Sequence, residues 1–337
     1  MRLKKPKKLN EGDTIATISP CWGIAGAAEA VWKYNIGKKR LEEIGLKVVA
    51  APNSMKGEEY LRNNPKARAE DILWAFENDS VKAIIANIGG NDSLKVIPFL
   101  NSETICMNPK IFIGYSDVIN YHLYCYKAGL STFYGPNLLP IIAETPDFHQ
   151  YSKFWFHKVL FENKAIGEIP PAKTYSCDNN NYFDKNFAKQ YRKETGYIFV
   201  QGKGKIEGEL FGGHTGIKDF PGINAEYFFD KILFIEDTAD FFTPRHLTNF
   251  LNWLGEIGAL QRIKGLLIGK LCGYKSFEKH KKAVLEIVND KYGLADLAII
   301  ANINFGHTSP ICIFPYGAKM KIDFDSKKVL ITESGVI

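Results

Sequence analysis

Short apolar runs and segments of helical periodicity take turns along the first ~140 residues, and this alternation most limits the folds open to the chain. "DTIATISP" reads as a strand, and "AAEAVWKYNIGKKRLEEIG" repeats apolar residues at helical spacing until Gly45 stops it. "LKVVAAP" is a second strand, "NPKARAEDILWAFEN" a helix, and "VKAIIANIGG" a buried strand ending in two glycines. "DSLKVIPFL" reads as a short helix, and "KIFIGYS" as the next strand. Strands that alternate with helices lie parallel, with helices over both faces of the sheet. The expected class is therefore α/β, with an N-terminal parallel-sheet domain of Rossmann or flavodoxin-like type over residues 1–165. Ligands on such a sheet collect at the carboxyl ends of the strands, where Gly89-Gly90 and Ser116 fall.

The stretch "ENKAIGEIPPAKTYSCDNNNYFDKNFAKQYRKET" breaks this pattern, being rich in Asn, Lys, Pro and Tyr and free of apolar periodicity. Residues 166–197 are thus expected to form a linker and an exposed inserted loop. Beyond it, "KIEGELFGGH", "KILFIEDT", "IKGLLIGKL" and "ICIFPYGAKMKIDFDSKKVLI" are short apolar segments, interrupted by the helix-like "PRHLTNFLNWLGEIG" and "EKHKKAVLEIVNDKYG". Residues 198–337 are expected to form a second, β-rich α/β domain with helices on its outside. No period of 20–50 residues suggests a repeat architecture.

The chain's 337 residues suffice for one large or two medium cores. With 43 basic against 37 acidic residues, the net charge is only +6, and the lysines are scattered. The one basic run, Lys4-Lys5-Pro6-Lys7-Lys8, is expected to be a solvated, frayed terminus, so no nucleic-acid partner is expected. Six cysteines lie far apart, with no C-x-x-C pair and no Cys/His cluster at zinc spacing. They read as reduced thiols, most of them in the core, and neither a metal nor a cofactor is expected. "GKGKIEG" lacks the spacing of a dinucleotide fingerprint, and no P-loop is present. The basic N-terminus has no apolar h-region, and nothing approaches a membrane span, so a soluble, cytosolic protein with no membrane partner is expected.

Three residues stand out as candidate chemistry. In "PKIFIGYSDVINYHLYC" an apolar strand gives way to helical spacing at Ser116. A serine hydroxyl is protonated at neutral pH and needs a base, itself held by a third group, to act as a nucleophile. Gly114-Tyr115-Ser116-Asp117-Val118 resembles a nucleophile elbow without the second glycine of G-x-S-x-G, and an N-cap serine is an equally good reading. His307, in "NFGHTSP", follows an apolar strand and a glycine, although a structural histidine would suit the same position. Among the other histidines His214, after two glycines, is the serious rival, while His246 and His280 belong to helical patterns that look exposed. Glu236 ends the apolar run Ile232 to Ile235, and a carboxylate there is costly unless paired, for which a histidine donor would serve. A salt bridge or helix cap is the alternative, better suited to Asp237.

Taken in order, "IIANIGGND", "FIGYSDV", "GKIEGELFGGH", "ILFIEDT", "GLLIGK" and "NFGHTSPICIFPYGAKMKID" resemble the serine peptidases of the LD-carboxypeptidase group, family S66, nearer the branch of the microcin C immunity hydrolases. The resemblance spans nearly the whole chain. It implies Ser116 as nucleophile, His307 as general base then acid, and Glu236 as the residue fixing the imidazole. It further implies oxyanion donors at the backbone N–H groups of Gly90 and Asp117, with Gly89, His214, Asp240 and Tyr197 near substrate. Glycine suits position 90 because a Cβ would hinder close approach of the backbone to substrate. The activity implied is cleavage of an amide beside a free carboxylate in a small peptide or peptidyl-nucleotide, with a homodimer as the assembly. Murein-peptide LD-carboxypeptidase activity is the alternative, and a binding protein that keeps the scaffold without catalysis is a second. The inserted loop carries Tyr182, Phe183, Phe187, Tyr191 and Tyr197 but no tryptophan, and His214 stands where the group often has Asn. Both departures bear on the substrate.

Overall fold

The computed structural model describes residues 3–178, 180–271 and 277–337. Its first sheet runs parallel through β1 (Thr14–Ile18), β2 (Lys47–Ala50), β3 (Val81–Ala86), β4 (Ile111–Gly114) and β5 (Phe133–Tyr134), in the order β5-β4-β3-β1-β2. Successive side chains of a strand point to opposite faces. Here both faces are covered: Ala83, Ile85, Ile111 and Ile113 join one core cluster, and Ile84, Ala86 and Phe112 the other. The helices are α1 (Val31–Glu43), α2 (Glu58–Asn63), α3 (Pro65–Glu77), α4 (Ser102–Met107), α5 (Ile119–Lys127) and α6 (Gln150–Leu160).

Two local expectations need correction. "DSLKVIPFL" forms two 3-10 turns, Ser93–Lys95 and Ile97–Phe99, in place of one helix. Pro98 has no N–H to give and crowds the preceding turn, so an α-helix cannot run through it. The basic run is not frayed either. The Lys4 N–H donates to the Gly129 carbonyl, the Lys5 ammonium reaches Glu333 at 2.8 Å, and the Lys8 N–H donates to the Ile337 carbonyl. Backbone partners at both ends of the run outweigh the solvation of its lysines.

The segment expected to be an exposed loop is partly built in. It supplies β6 (Gly167–Glu168) and a small ribbon of β7 (Thr174–Tyr175) with β8 (Arg192–Lys193). Cys177 and Lys189 within it are buried. Lys189 can be so because its ammonium meets the Glu144 carboxylate at 2.8 Å and the Pro140 carbonyl at 3.1 Å, which a reading of hydrophobicity alone cannot foresee.

The second sheet adds β9 (Ile198–Gln201), β10 (Lys205–His214), β11 (Lys231–Glu236), β12 (Gly265–Gly269), β13 (Ala298–Ile303), β15 (Lys319–Asp323) and β16 (Lys328–Ile331), in the order β6-β16-β15-β10-β11-β12-β13-β9. β10 to β13 are parallel, and the flanking strands antiparallel. α7 (Pro244–Glu256) starts on a Thr243 cap with Pro244 in its first turn and buries Leu247, Phe250, Leu251 and Leu254. α8 (Glu278–Leu285) lies against it. The remaining strand, β14 (Phe314–Pro315), leaves this unit and pairs antiparallel with β5 on the edge of the first sheet. Among the described residues, no helix is long and apolar enough to cross a membrane.

Candidate active site

β4 is buried along its length and delivers the chain to Ser116, which has φ of +70°. A left-handed backbone at a residue with a Cβ costs roughly 1–3 kcal/mol and persists only where its surroundings enforce it. Here Ser116 opens a 3-10 turn, Ser116–Val118, that runs on into α5, and the cap position is held by Tyr115, not by the serine. The Ser116 N–H donates to the Tyr134 hydroxyl at 3.3 Å.

His307 arrives from the other sheet, four residues after β13. Its Nε2 lies 3.0 Å from Ser116 Oγ and its Nδ1 2.6 Å from Glu236 Oε2. Glu236, the last residue of β11, is 1% exposed, and its Oε2 also accepts the His307 N–H at 3.0 Å. That second bond requires a glycine at 306: its φ is +89°, and a Cβ there would overlap Glu236 Oε2. The Tyr134 hydroxyl donates to Glu236 Oε1, so one phenol ties the serine turn to the carboxylate. Burial pushes the Glu236 carboxyl up; the charge and hydrogen bond of His307, with the charge of His214 and the Tyr134 bond, overcome this and hold it below its ordinary value.

The loop after β3 is fixed to the serine turn by charge. The Asp117 carboxylate accepts the N–H groups of Asp92 and Ser93, both at 3.0 Å, and the Ser93 hydroxyl at 2.7 Å. Asp92 in turn takes a two-pronged contact from Arg68 at 2.7 and 3.1 Å, and Arg68 also donates to the Pro20 and Cys21 carbonyls. Gly89 faces the hydroxyl: a Cβ there would stand 2.8 Å from Ser116 Oγ. At Gly90 the same atom would meet Cys21 Cβ at 2.8 Å, so glycine at 90 is required by the neighbouring 21–22 segment.

A cavity of about 290 Å³ opens over Ser116 and His307, walled by Gly89, Gly90, Trp22 and Tyr182, with Asp178 and Asn180 at the inserted loop. A larger cavity of about 640 Å³ shares Trp22 and Gly90 with it and is bordered by Arg62, Lys95 and Phe241. Of the loop aromatics, Tyr182 lines the smaller cavity, set edge-on to Trp22 with ring centres 6.0 Å apart. Tyr197 packs against the core away from it, Phe183 is 59% exposed, and Tyr191 bonds Glu144 and Ser309. His214 is beside Glu236 in the β10–β11 register, 5.8 Å from the His307 ring, with Nε2 on Asp237 Oδ1 at 3.0 Å. Burial pulls its pKa down, but the Asp237 bond and the charges of Glu236 and Asp237 lift it above the ordinary histidine value. Asp240 is exposed and outside the lining of either cavity.

His280 and His246 are not the solvated helical residues the pattern suggested. His280 is buried, with Nε2 on the Phe242 carbonyl, and His246 reaches Asp237 Oδ2 at 3.2 Å. His122, fully buried, bonds Thr132 and the Gly114 carbonyl, and burial holds its pKa down at about 4. Among the described residues, no group of three or more His, Cys, Asp or Glu side chains is disposed to hold a metal. The cysteines Cys21, Cys106, Cys125 and Cys312 are free; Cys177 is buried with its thiol toward the Leu271 carbonyl, and Cys272 lies outside the described residues.

Two sheets that meet at a hydroxyl, an imidazole and a buried carboxylate define a two-part α/β protein with hydrolase-like geometry. The chain belongs to the LD-carboxypeptidase family of serine peptidases: the N-terminal domain of that family matches residues 15–135 and its C-terminal domain residues 207–322. The microcin C7 self-immunity protein MccF of Escherichia coli is 28% identical, across 96% of this chain and 94% of its own length. A probable murein peptide carboxypeptidase of Bacillus subtilis is also 28% identical, across 98% and 95%. An MccF-like protein from Streptococcus pneumoniae, solved with AMP, superposes with a TM-score of 0.87 at 27% identity, covering 96% of this chain and 99% of that one. MccF in complex with aspartyl sulfamoyl adenosine superposes at 0.84 with 26% identity, covering 99% and 100%.

Proposed function

We propose that the protein is a metal-independent serine hydrolase that cleaves an amide beside a free carboxylate in an aminoacyl-nucleotide or small peptide. The observation that carries this is the single line from Ser116 Oγ through both nitrogens of His307 to Glu236. As Oγ attacks the carbonyl carbon, its proton passes to Nε2, and the imidazolium so formed is stabilised by the Glu236 carboxylate. The tetrahedral oxyanion is held by the N–H groups of Gly90 and Asp117, an interaction worth roughly 10²–10³ in kcat per donor. His307 then gives its proton to the leaving nitrogen as the carbon–nitrogen bond breaks, which leaves the acyl group on Ser116 Oγ, and a water that gives its proton to the same imidazole attacks this ester and releases the acid.

Gly89 lets substrate approach the hydroxyl, while His214, with Nδ1 on the Gly216 N–H and Nε2 on Asp237, holds the end of β10 beside Glu236. Tyr182 and Trp22 offer a planar group a stacking wall, which supports a nucleobase. Asp240 and Tyr197, away from the cavity, take no part in this scheme. The same reading includes a cytosolic homodimer, checked by cell fractionation and by light scattering of the purified protein.

A fluorophosphonate probe followed by peptide mapping should place one adduct on Ser116. A folded protein that takes no label would make it a binding module. Comparing turnover of aspartyl sulfamoyl adenosine with that of a murein tetrapeptide then separates the nucleotide reading from the murein one, which the Bacillus subtilis relative supports.

A further inference from the structure

Lys33 is 0% exposed, and among the described residues its ammonium has no hydrogen-bond partner. An unpaired buried cation is among the costliest arrangements a protein can hold. Its position in the first turn of α1 makes matters worse, because the positive end of the helix dipole disfavours a cation there. What the ammonium does face is aromatic: it stands 5.5 Å from the ring centre of Tyr182 and 5.6 Å from that of Trp32, within cation–π range. Tyr182 is an aromatic residue of the inserted loop that walls the smaller cavity.

We propose that Lys33 is a positioning residue that fixes the cavity wall, its ammonium holding the Tyr182 ring in place against Trp22 and so setting the affinity for a planar group in the substrate. The substrate part of this rests on the function proposed above; the ordering of the loop does not. Burial and three charged groups besides the two rings bear on the charge of Lys33. Burial lowers its pKa most, Lys189 from the loop lowers it further, Glu144 raises it, and Arg40 on the same helix lowers it, leaving it at about 8. The cation is therefore present at neutral pH and is lost a little above it. The aromatic wall should then be firm at pH 7 and looser at pH 9.

Limited trypsin digestion tests the ordering directly, since Lys185 lies exposed in the loop two residues beyond Phe183. Nicking at Lys185 is read by mass spectrometry and normalised at each pH to a short unstructured reporter peptide. Lys33→Met, which keeps the length and removes the charge, should nick at least threefold faster than the wild type at pH 7, and Lys33→Arg should restore protection. At pH 9 the wild type should approach Lys33→Met. Equal nicking of wild type and Lys33→Met at pH 7, or a wild-type to variant ratio that stays the same at pH 9, overturns the proposal and leaves Lys33 a packing residue. Because the wild-type pH series needs no variant, a misfolded Lys33→Met leaves the test intact.

With an aminoacyl sulfamoyl nucleoside as substrate, Lys33→Met should raise KM about tenfold with kcat unchanged. An unchanged KM overturns the affinity half of the proposal. Full activity in Ser116→Ala would instead overturn the hydrolase reading while leaving the loop result standing, so the two failures are distinguishable.

Discussion

Glu236 and Asp237 are neighbours at the end of one strand, both buried and both bonded to imidazole, yet only one of them is part of a line that can move a proton toward substrate. His307 puts one ring nitrogen on Glu236 and the other on Ser116, whose hydroxyl opens onto a cavity. His246 uses the same Nε2 for Asp237 and for the hydroxyl of Thr215, which is 1% exposed. His214 spends Nδ1 on the Gly216 N–H and Nε2 on Asp237. Residue types and burial are nearly the same in the two clusters. What differs is whether a ring with one nitrogen on the carboxylate has its other nitrogen on a hydroxyl, and whether that hydroxyl meets open space.

If that contrast is right, Ser116→Ala should lower kcat by ~10⁴ or more without loss of stability, because a small side chain at this turn carries little packing. Activity above a few per cent of wild type would erase the distinction. Glu236→Gln should lower kcat by roughly 10³ with little change in KM, since shape is kept and the charge opposite the imidazolium is not. A loss of stability with normal specific activity would make Glu236 structural, like Asp237. Gly306→Ala forces a Cβ onto Glu236 Oε2 in a left-handed backbone, and should cost about 1–3 kcal/mol in stability and lower kcat by about 10–100-fold. Thermal melts and steady-state kinetics on one preparation would show both or refute it.

Asp237→Asn should have the smallest catalytic effect, less than about tenfold in kcat/KM, and a clear signature in stability. Burial pushes the Asp237 carboxyl up, but the bond and charge of His214, the Thr215 hydroxyl and the Thr238 N–H hold it well below its usual range. A depressed carboxylate stabilises the fold above its unfolded value of about 3.9 and loses that contribution as pH falls. His214, raised, stabilises below about 6.5 and loses its contribution as pH rises through its folded value. The gap in stability between wild type and Asp237→Asn should therefore be widest between about pH 4 and 6.5 and narrow on either side. A gap that does not change with pH would mean that charge at Asp237 plays no part in the fold.

How much of this could be read from the sequence follows from what each residue has around it in the chain. Ser116, Glu236 and His307 each stand where an apolar run stops, and the cost of a polar group at such a place makes it visible. Tyr134, which joins Ser116 to Glu236, sits in a two-residue strand with no pattern of its own and is invisible without the fold. The exposed look of His246 and His280 came from the lysines and asparagines beside them, whereas burial there is decided by Asp237 and Phe242, brought from other elements. The basic N-terminal run misled for the same reason: its partners, Gly129, Glu333 and Ile337, are far away in sequence.

The distance along the chain between the hydroxyl and its imidazole, 191 residues, also has a meaning in time. At synthesis rates of about 5–20 residues per second, Ser116 leaves the ribosome on the order of 10 to 40 s before His307. Through that interval the serine is an ordinary alcohol, whatever small peptides or nucleotides surround it. In the proposed reading, a chain that stalls or is clipped anywhere between the two is chemically silent, so only a molecule that has folded both sheets can begin to cut.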